Sequence, residues 1–148
     1  MAELNEEQLL LLNNLMYYDG STKQGSDVGD IAQNILNGNI SAEDLQGGMT
    51  TAQMTEIAKA IDSDPYLSSL KVVASEDSTG FRASCFQDTN TGEATVAVRG
   101  TGGSYEAWSD NVQGAYDTDT KIQEKMADFI NEDCANYDNI TVTKILCN

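Results

Sequence analysis

The sequence predicts an α/β fold in which a helical N-terminal region precedes a partial sheet, made of a β-hairpin and one strand–helix–strand crossover. Three observations predict it. Apolar residues recur at helical spacing up to about residue 70, they alternate at strand spacing from Lys71 onward, and a long amphipathic segment separates the last two strand-like segments. We treat residues 1–148 as a single incomplete domain, with a helical extension in 1–70 and the sheet portion in 71–148.

Capping residues predict where the helices of the first region begin, because Asn, Ser, Thr and Asp side chains satisfy the free N–H groups of a first helical turn. The first helix is expected to end at Asp19-Gly20, and a second at Asn37-Gly38-Asn39. The predicted starts are Asn5, Ser26 or Asp27, Ser41, Thr50 or Thr51, and Asp64-Pro65.

From Lys71 the spacing of apolar residues changes to that of strands. Residues 71–75 are predicted as a short strand and 76–80 as a turn. In 81–87 apolar side chains alternate with Arg82 and Ser84, which predicts a strand with one buried and one solvent face. Asn90-Thr91-Gly92 predicts a hairpin turn into a returning strand at 94–99.

The final elements predict a crossover. A strand at 94–99, an amphipathic helix at 118–135 and a β-rich segment at 139–146 should place two parallel strands in one sheet. In such sheets ligands bind beyond the carboxyl ends of the strands. The glycine-rich segment from Gly100 to Ser104 follows the first of these ends.

Charge and cysteine usage limit the classes of partner. Twenty-four acidic residues oppose eight basic ones, and a net charge of −16 disfavours nucleic acids and anionic membranes, although an acidic DNA mimic stays open as an alternative. Three cysteines without any histidine predict no metal site, no cofactor and free buried thiols. The sequence has no apolar run of transmembrane length, and its acidic start is unlike a signal peptide, so we expect a cytoplasmic location.

One segment resembles a known family. Val96 to Thr101, with Arg99-Gly100-Thr101 at its end, followed by Trp108 to Asn111, resembles the class 3 (fungal-type) lipase-like α/β-hydrolases. The resemblance covers about residues 81–143 in the order and spacing of elements. It departs from the family where Asn111 occupies the position that usually holds Asp.

The resemblance implies carboxylic-ester hydrolysis, with an acyl-ester or lipid substrate. The segment after Gly100 would be the oxyanion loop, with Thr101 and Gly102 supplying the donors and with Ser104 and Trp108 beside the acyl group. Without the family, a flexible glycine turn explains the loop and a core anchor explains Trp108. A phosphate-binding loop is disfavoured, because the Walker lysine is absent and the surroundings are acidic.

The family's catalytic Ser, Asp and His have no counterpart in this sequence. The nucleophile elbow should follow 140–143, but no Ser or Gly occurs after Gly114, and the chain has no histidine. We therefore expect an N-terminal fragment that is inactive alone, in which the strand at 139–146 pairs with a C-terminal half or with a second copy. The alternatives are a non-catalytic binding module on the same scaffold, or an unrelated small α+β domain.

Overall fold

A computed structural model describes residues 4–78, 81–100, 120–134 and 140–147. Helices combine with a four-stranded mixed sheet, which confirms the α/β class. In chain order the elements are α1 (Glu6–Leu15), a 3-10 turn (Asp19–Thr22), α2 (Val28–Leu36), a second 3-10 turn (Ala42–Asp44), α3 (Thr51–Asp62), α4 (Pro65–Ser69), β1 (Lys71–Ser78), β2 (Phe81–Gln87), β3 (Glu93–Gly100), α5 (Thr120–Asp128), a π-helical segment (Phe129–Cys134) and β4 (Thr141–Cys147).

The predicted caps are confirmed at three helix starts. The Asn5 side chain accepts from the N–H of Gln8 at 2.8 Å, and the Gln8 side chain accepts from the N–H of Asn5 at 2.9 Å. Thr50 and Gln53 make the same reciprocal pair of side-chain-to-backbone bonds at the start of α3. At the start of α4, the Asp64 side chain accepts from the N–H of Leu67. Each start is therefore specified by side chains within one turn of the helix.

Two predicted boundaries were wrong. Helix α1 ends at Leu15 rather than at Asp19-Gly20, because the N–H groups of the next three residues bond to carbonyls three positions back. The chain then leaves the helix, and Tyr18 forms an isolated β-bridge with Leu45. Strand β1 continues to Ser78 instead of turning at 76, since Asp77 pairs with Arg82 across the hairpin.

The sheet has the order β1-β2-β3-β4, with the first three strands antiparallel and β3 parallel to β4. Helix α5 and the π-helical segment lie between β3 and β4 in the chain, so the predicted strand–helix–strand crossover is confirmed. The hairpin turn between β2 and β3 is also confirmed. Its Gly92 has a φ of 81°, a backbone conformation that favours glycine.

Strand β2 is covered on both faces, so the prediction of a solvent face was wrong. All seven of its residues are buried. Phe81, Ala83 and Cys85 pack in a cluster with Phe129 and Cys134 of the π-helical segment. The alternate side chains point the other way. Among them, Phe86 packs in a cluster built mainly from α1 to α4. The sheet is therefore the middle layer of three, because the N-terminal helices cover the face that the alternation assigned to water.

The two edges of this four-stranded sheet differ. The first residues of β1 are covered by a preceding segment, in which Gly25 donates to the carbonyl of Val72 at 2.8 Å and Val72 donates to the carbonyl of Ser26 at 2.9 Å. Strand β4 pairs with β3 and has no second neighbour among the strands described. Within the described part of the chain, no helix is long and apolar enough to cross a membrane.

Candidate functional site

The candidate site lies at the carboxyl end of β3, where the sequence predicts chemistry. Gly100 pairs with Phe81, so the strand is held by β2 up to its last residue. The residues predicted to carry the oxyanion loop and the acyl contacts lie outside the described part of the chain; they are Thr101, Gly102, Ser104 and Trp108. The structure therefore describes the base of that loop, which is the strand end from which the loop starts.

Two arginines stand side by side at this base. Arg82 of β2 and Arg99 of β3 are cross-strand partners, and they are the only arginines in the sequence. Like charges directly opposite each other destabilise a strand pair. The pair therefore needs compensation from the layer that it faces, which is formed by the N-terminal region.

Arg82 is compensated by a hydrogen-bond network. Its guanidinium donates to the carbonyl of Met16 at 3.0 Å, to Asp19 Oδ1 at 2.8 Å and to Asp77 Oδ2 at 3.2 Å. The residue is 6% exposed, whereas the side chains of its two acidic partners are about half exposed. Arg82 thus ties the middle of the sheet to the segment that follows α1.

Arg99 is compensated differently. Its guanidinium carbon lies 5.0 Å from the centre of the Tyr17 ring, which is the geometry of a cation–π contact. Burial lowers the pKa of Arg99, the neighbouring Arg82 charge lowers this pKa further, and Tyr17, Asp77 and Asp19 oppose the shift. Its Nε is buried and has no hydrogen-bond partner among the described residues.

This arrangement fixes the carboxyl end of β3 to residues 16–19, because Arg82 bonds to Met16 and Asp19 and Arg99 contacts the Tyr17 ring. The segment after Gly100 therefore starts from a strand end that is held in place. The positive charges of the two arginines are offset by the carboxylates of Asp19 and Asp77. A fixed strand end suits preorganised donors, because such donors need no reorganisation during a reaction.

Sequence reasoning missed both Arg82 and Tyr17 as residues of this site. Tyr17 is buried, as a packing residue should be, but its ring also faces a cation. The alternation in β2 placed Arg82 toward solvent. The one signal that could have corrected this was the chain's composition, since both arginines fall in adjacent strands of an otherwise acidic sequence.

Cys85 and Cys134 are free and buried, which confirms the expectation for these two thiols; the side chain of Cys147 lies outside what the structure describes. The interaction with Cys134, followed by burial, raises the pKa of Cys85. A thiol with a raised pKa is a poor nucleophile. In the described residues, no group of three potential metal-ligating side chains is found.

Comparison with models of protein families, with curated proteins and with solved structures finds no match to this chain.

Proposed function

We propose that this chain supplies the oxyanion half of a lipase-like carboxylic-ester hydrolase. The observation that carries the proposal is the parallel pairing of β3 with β4 through a helical crossover, with Arg99-Gly100 at the carboxyl end of β3. Ligands of such sheets bind beyond the carboxyl ends of parallel strands. The resemblance of Arg99-Gly100-Thr101 to the lipase-like motif points to the same position.

The role of the loop follows from acyl transfer. Negative charge develops on the former carbonyl oxygen, and each preorganised donor aimed at it contributes roughly 3–4 kcal/mol. We assign the donors to the backbone N–H groups of Thr101 and Gly102, and the acyl contacts to Ser104 and Trp108. Arg99 and Arg82 support this role as positioning residues, since they hold β3 in place against residues 16–19.

The nucleophile and the base belong to another polypeptide segment in this proposal. A serine hydrolase needs a base with a pKa near neutrality, and the sequence contains no histidine. A C-terminal half that pairs along β4 would bring Ser, Asp and His to the carboxyl end of the sheet. The alternative occupant of this edge is a second copy of the chain. Free Cys85 and Cys134 support the proposed cytoplasmic location.

The test measures turnover and binding separately. We expect no hydrolysis of p-nitrophenyl butyrate above the buffer rate and no labelling by a fluorophosphonate. Ethyl hexanoate should bind, as followed by calorimetry, and Thr101→Pro should weaken this binding at least tenfold because it deletes one N–H donor. Thr101→Ala is the matched control, since it keeps the N–H and should bind like the parent.

Two outcomes would contradict the proposal. Turnover by the purified chain that fluorophosphonate blocks would show that this chain carries its own nucleophile. Equal ester affinities for the parent and Thr101→Pro would remove the oxyanion assignment.

Weak binding of esters combined with a clean monomer in size-exclusion chromatography would favour the non-catalytic module. A Gly-x-Ser-x-Gly motif in any reading frame after codon 148 of the gene would favour the hydrolase half.

A further inference from the structure

A half-open cavity of about 210 Å³ lies at the surface of the N-terminal layer, between the first 3-10 turn and α2. Its wall combines an aromatic ring, an aliphatic side chain, a hydroxyl, an amide and two opposite charges. The side chains that provide these groups are Tyr18, Ile31, Ser26, Asn34, Lys23 and Asp30. None of the residues that contact Arg82 or Arg99 lines it, so the cavity is distinct from that network.

The two charges of the cavity have no ion partner among the described residues. Lys23 and Asp30 form no ion pair with each other, and neither has another ion pair or side-chain hydrogen bond within the part of the chain that the structure describes. By contrast, Lys59 and Lys71 each lie within 4 Å of a carboxylate, at 3.2 and 3.9 Å. In a chain with 24 acidic and 8 basic residues, Lys23 thus has no ion partner among the described residues, and it shares the cavity with an aspartate that has none there either.

The apolar part of the wall is fixed in place. Tyr18 and Ile31 are buried. A Cβ atom at Gly20 would overlap the Tyr18 ring, so glycine at this position lets the ring lie against the backbone. The cavity therefore has a preformed aromatic and aliphatic side, with the two charged groups at its solvent-exposed rim.

We propose that this cavity binds a small zwitterion of the amino-acid type. Lys23 would receive the carboxylate, Asp30 the ammonium group, and Ile31 and Tyr18 the apolar body. The net charge of −16 disfavours a simple anion, and the unpaired Lys23 disfavours a simple cation. The cavity is smaller than the roughly 300–1,000 Å³ that holds drug-sized ligands, which limits the ligand to a few rotatable bonds.

The experiment uses three matched probes in calorimetric titrations of the full chain. L-leucine carries both charges, 4-methylpentanoate carries only the carboxylate, and 3-methylbutan-1-amine carries only the ammonium group. We expect leucine to bind with a Kd of about 1 mM and each single-charge analogue to bind at least tenfold more weakly. Absence of leucine binding, or equal binding of all three probes, would overturn the proposal.

Substitutions test which charged residue of the cavity binds which charged group of the ligand. Lys23→Met and Asp30→Asn should each weaken leucine binding at least tenfold, and Asp30→Asn should abolish the preference for leucine over 4-methylpentanoate. Both side chains are exposed, so we expect these variants to fold like the parent. Lys59→Met is the matched control and should bind leucine normally. Unchanged leucine affinity in Lys23→Met would overturn the proposal, and neither result depends on ester chemistry at β3.

Discussion

The two faces of the β2–β3 pair differ in the polarity of their buried side chains. The face toward the π-helical segment is apolar, with Phe81, Ala83 and Val98 packed against Phe129. The face toward the N-terminal helices includes Arg82, Ser84 and Arg99, which interact with the segment that follows α1. Both faces are covered, but only the second needs specific polar partners.

This difference shows where specificity lies in the fold. An apolar face tolerates many side chains of about the right volume. A buried polar face does not, because each group left without its partner costs free energy of desolvation. The polar face also includes Arg99, which directly precedes the strand end that carries the proposed oxyanion loop. The N-terminal region therefore holds the carboxyl end of β3 in position, in addition to covering the sheet.

The largest effect is expected on the apolar face. Phe81 is 2% exposed, and Phe81→Ala should lower the free energy of unfolding by about 4 kcal/mol, because it removes buried apolar surface and leaves a cavity. Urea unfolding followed by circular dichroism measures this loss. Leu10→Ala, at a position 37% exposed, is the control and should cost less than about 1 kcal/mol. Equal losses would mean that this face is not a packed core.

The next effect is expected on the polar face. Arg82→Met should lower the free energy of unfolding by about 3 kcal/mol, since it leaves the Met16 carbonyl and the Asp77 carboxylate without their donor and leaves Asp19 with only the longer bond from Gln46. The control is Lys71→Met, which breaks an exposed ion pair with Asp27 and should cost less than about 1 kcal/mol. If Arg82→Met and Lys71→Met lower the free energy of unfolding equally in urea, the buried polar face does not require its specific partners.

The same contrast explains what the sequence could predict. The helix starts at Asn5, Thr50 and Asp64 were predictable, because each cap and its partner lie three residues apart. The strand–helix–strand crossover was predictable, because the apolar residues change from strand spacing to helical spacing and back again. The burial of Arg82 and Ser84 was not, because their carbonyl partners, Met16 and Ser21, lie 66 and 63 residues earlier in the chain.

The candidate site was predictable in the same partial way. The position of Gly100 at a strand end followed from local pattern and family resemblance. The pairing of Arg99 with Arg82, and its contact with the Tyr17 ring, depend on strand register and on the path of the chain after α1. Neither leaves a periodic signal in the sequence.

A smaller effect is expected at Ser84. Its buried hydroxyl donates to the carbonyl of Ser21 at 2.9 Å, so Ser84→Ala should cost roughly 1–2 kcal/mol by leaving that carbonyl unpaired. Ser69→Ala is the matched control, because Ser69 makes the same kind of bond to the Tyr66 carbonyl at 2.7 Å in an exposed position. We expect less than about 0.5 kcal/mol there. A larger loss at Ser69 than at Ser84 would contradict the role of burial.

The smallest effect concerns alkaline pH. Burial, the hydrogen bond to Asp88 and nearby acidic charges raise the pKa of Tyr66 to about 12, against 10.0 for the free side chain. The unfolded chain then loses this proton at lower pH than the folded protein. The stabilisation from Tyr66 is therefore present below pH 10 and is lost as the pH rises through about 12. Tyr66→Phe should show a shallower fall in melting temperature over this range, and identical profiles would contradict the assignment.

The central claim is that the loop at the carboxyl end of β3 is an oxyanion site. Backbone amide resonances followed during titration with ethyl hexanoate test it most directly. We predict downfield movement of the Thr101 and Gly102 amides, with the amides of Gly38 and Gly92 unchanged as internal references. Saturating shifts elsewhere, with the Thr101 and Gly102 amides unmoved, would contradict it.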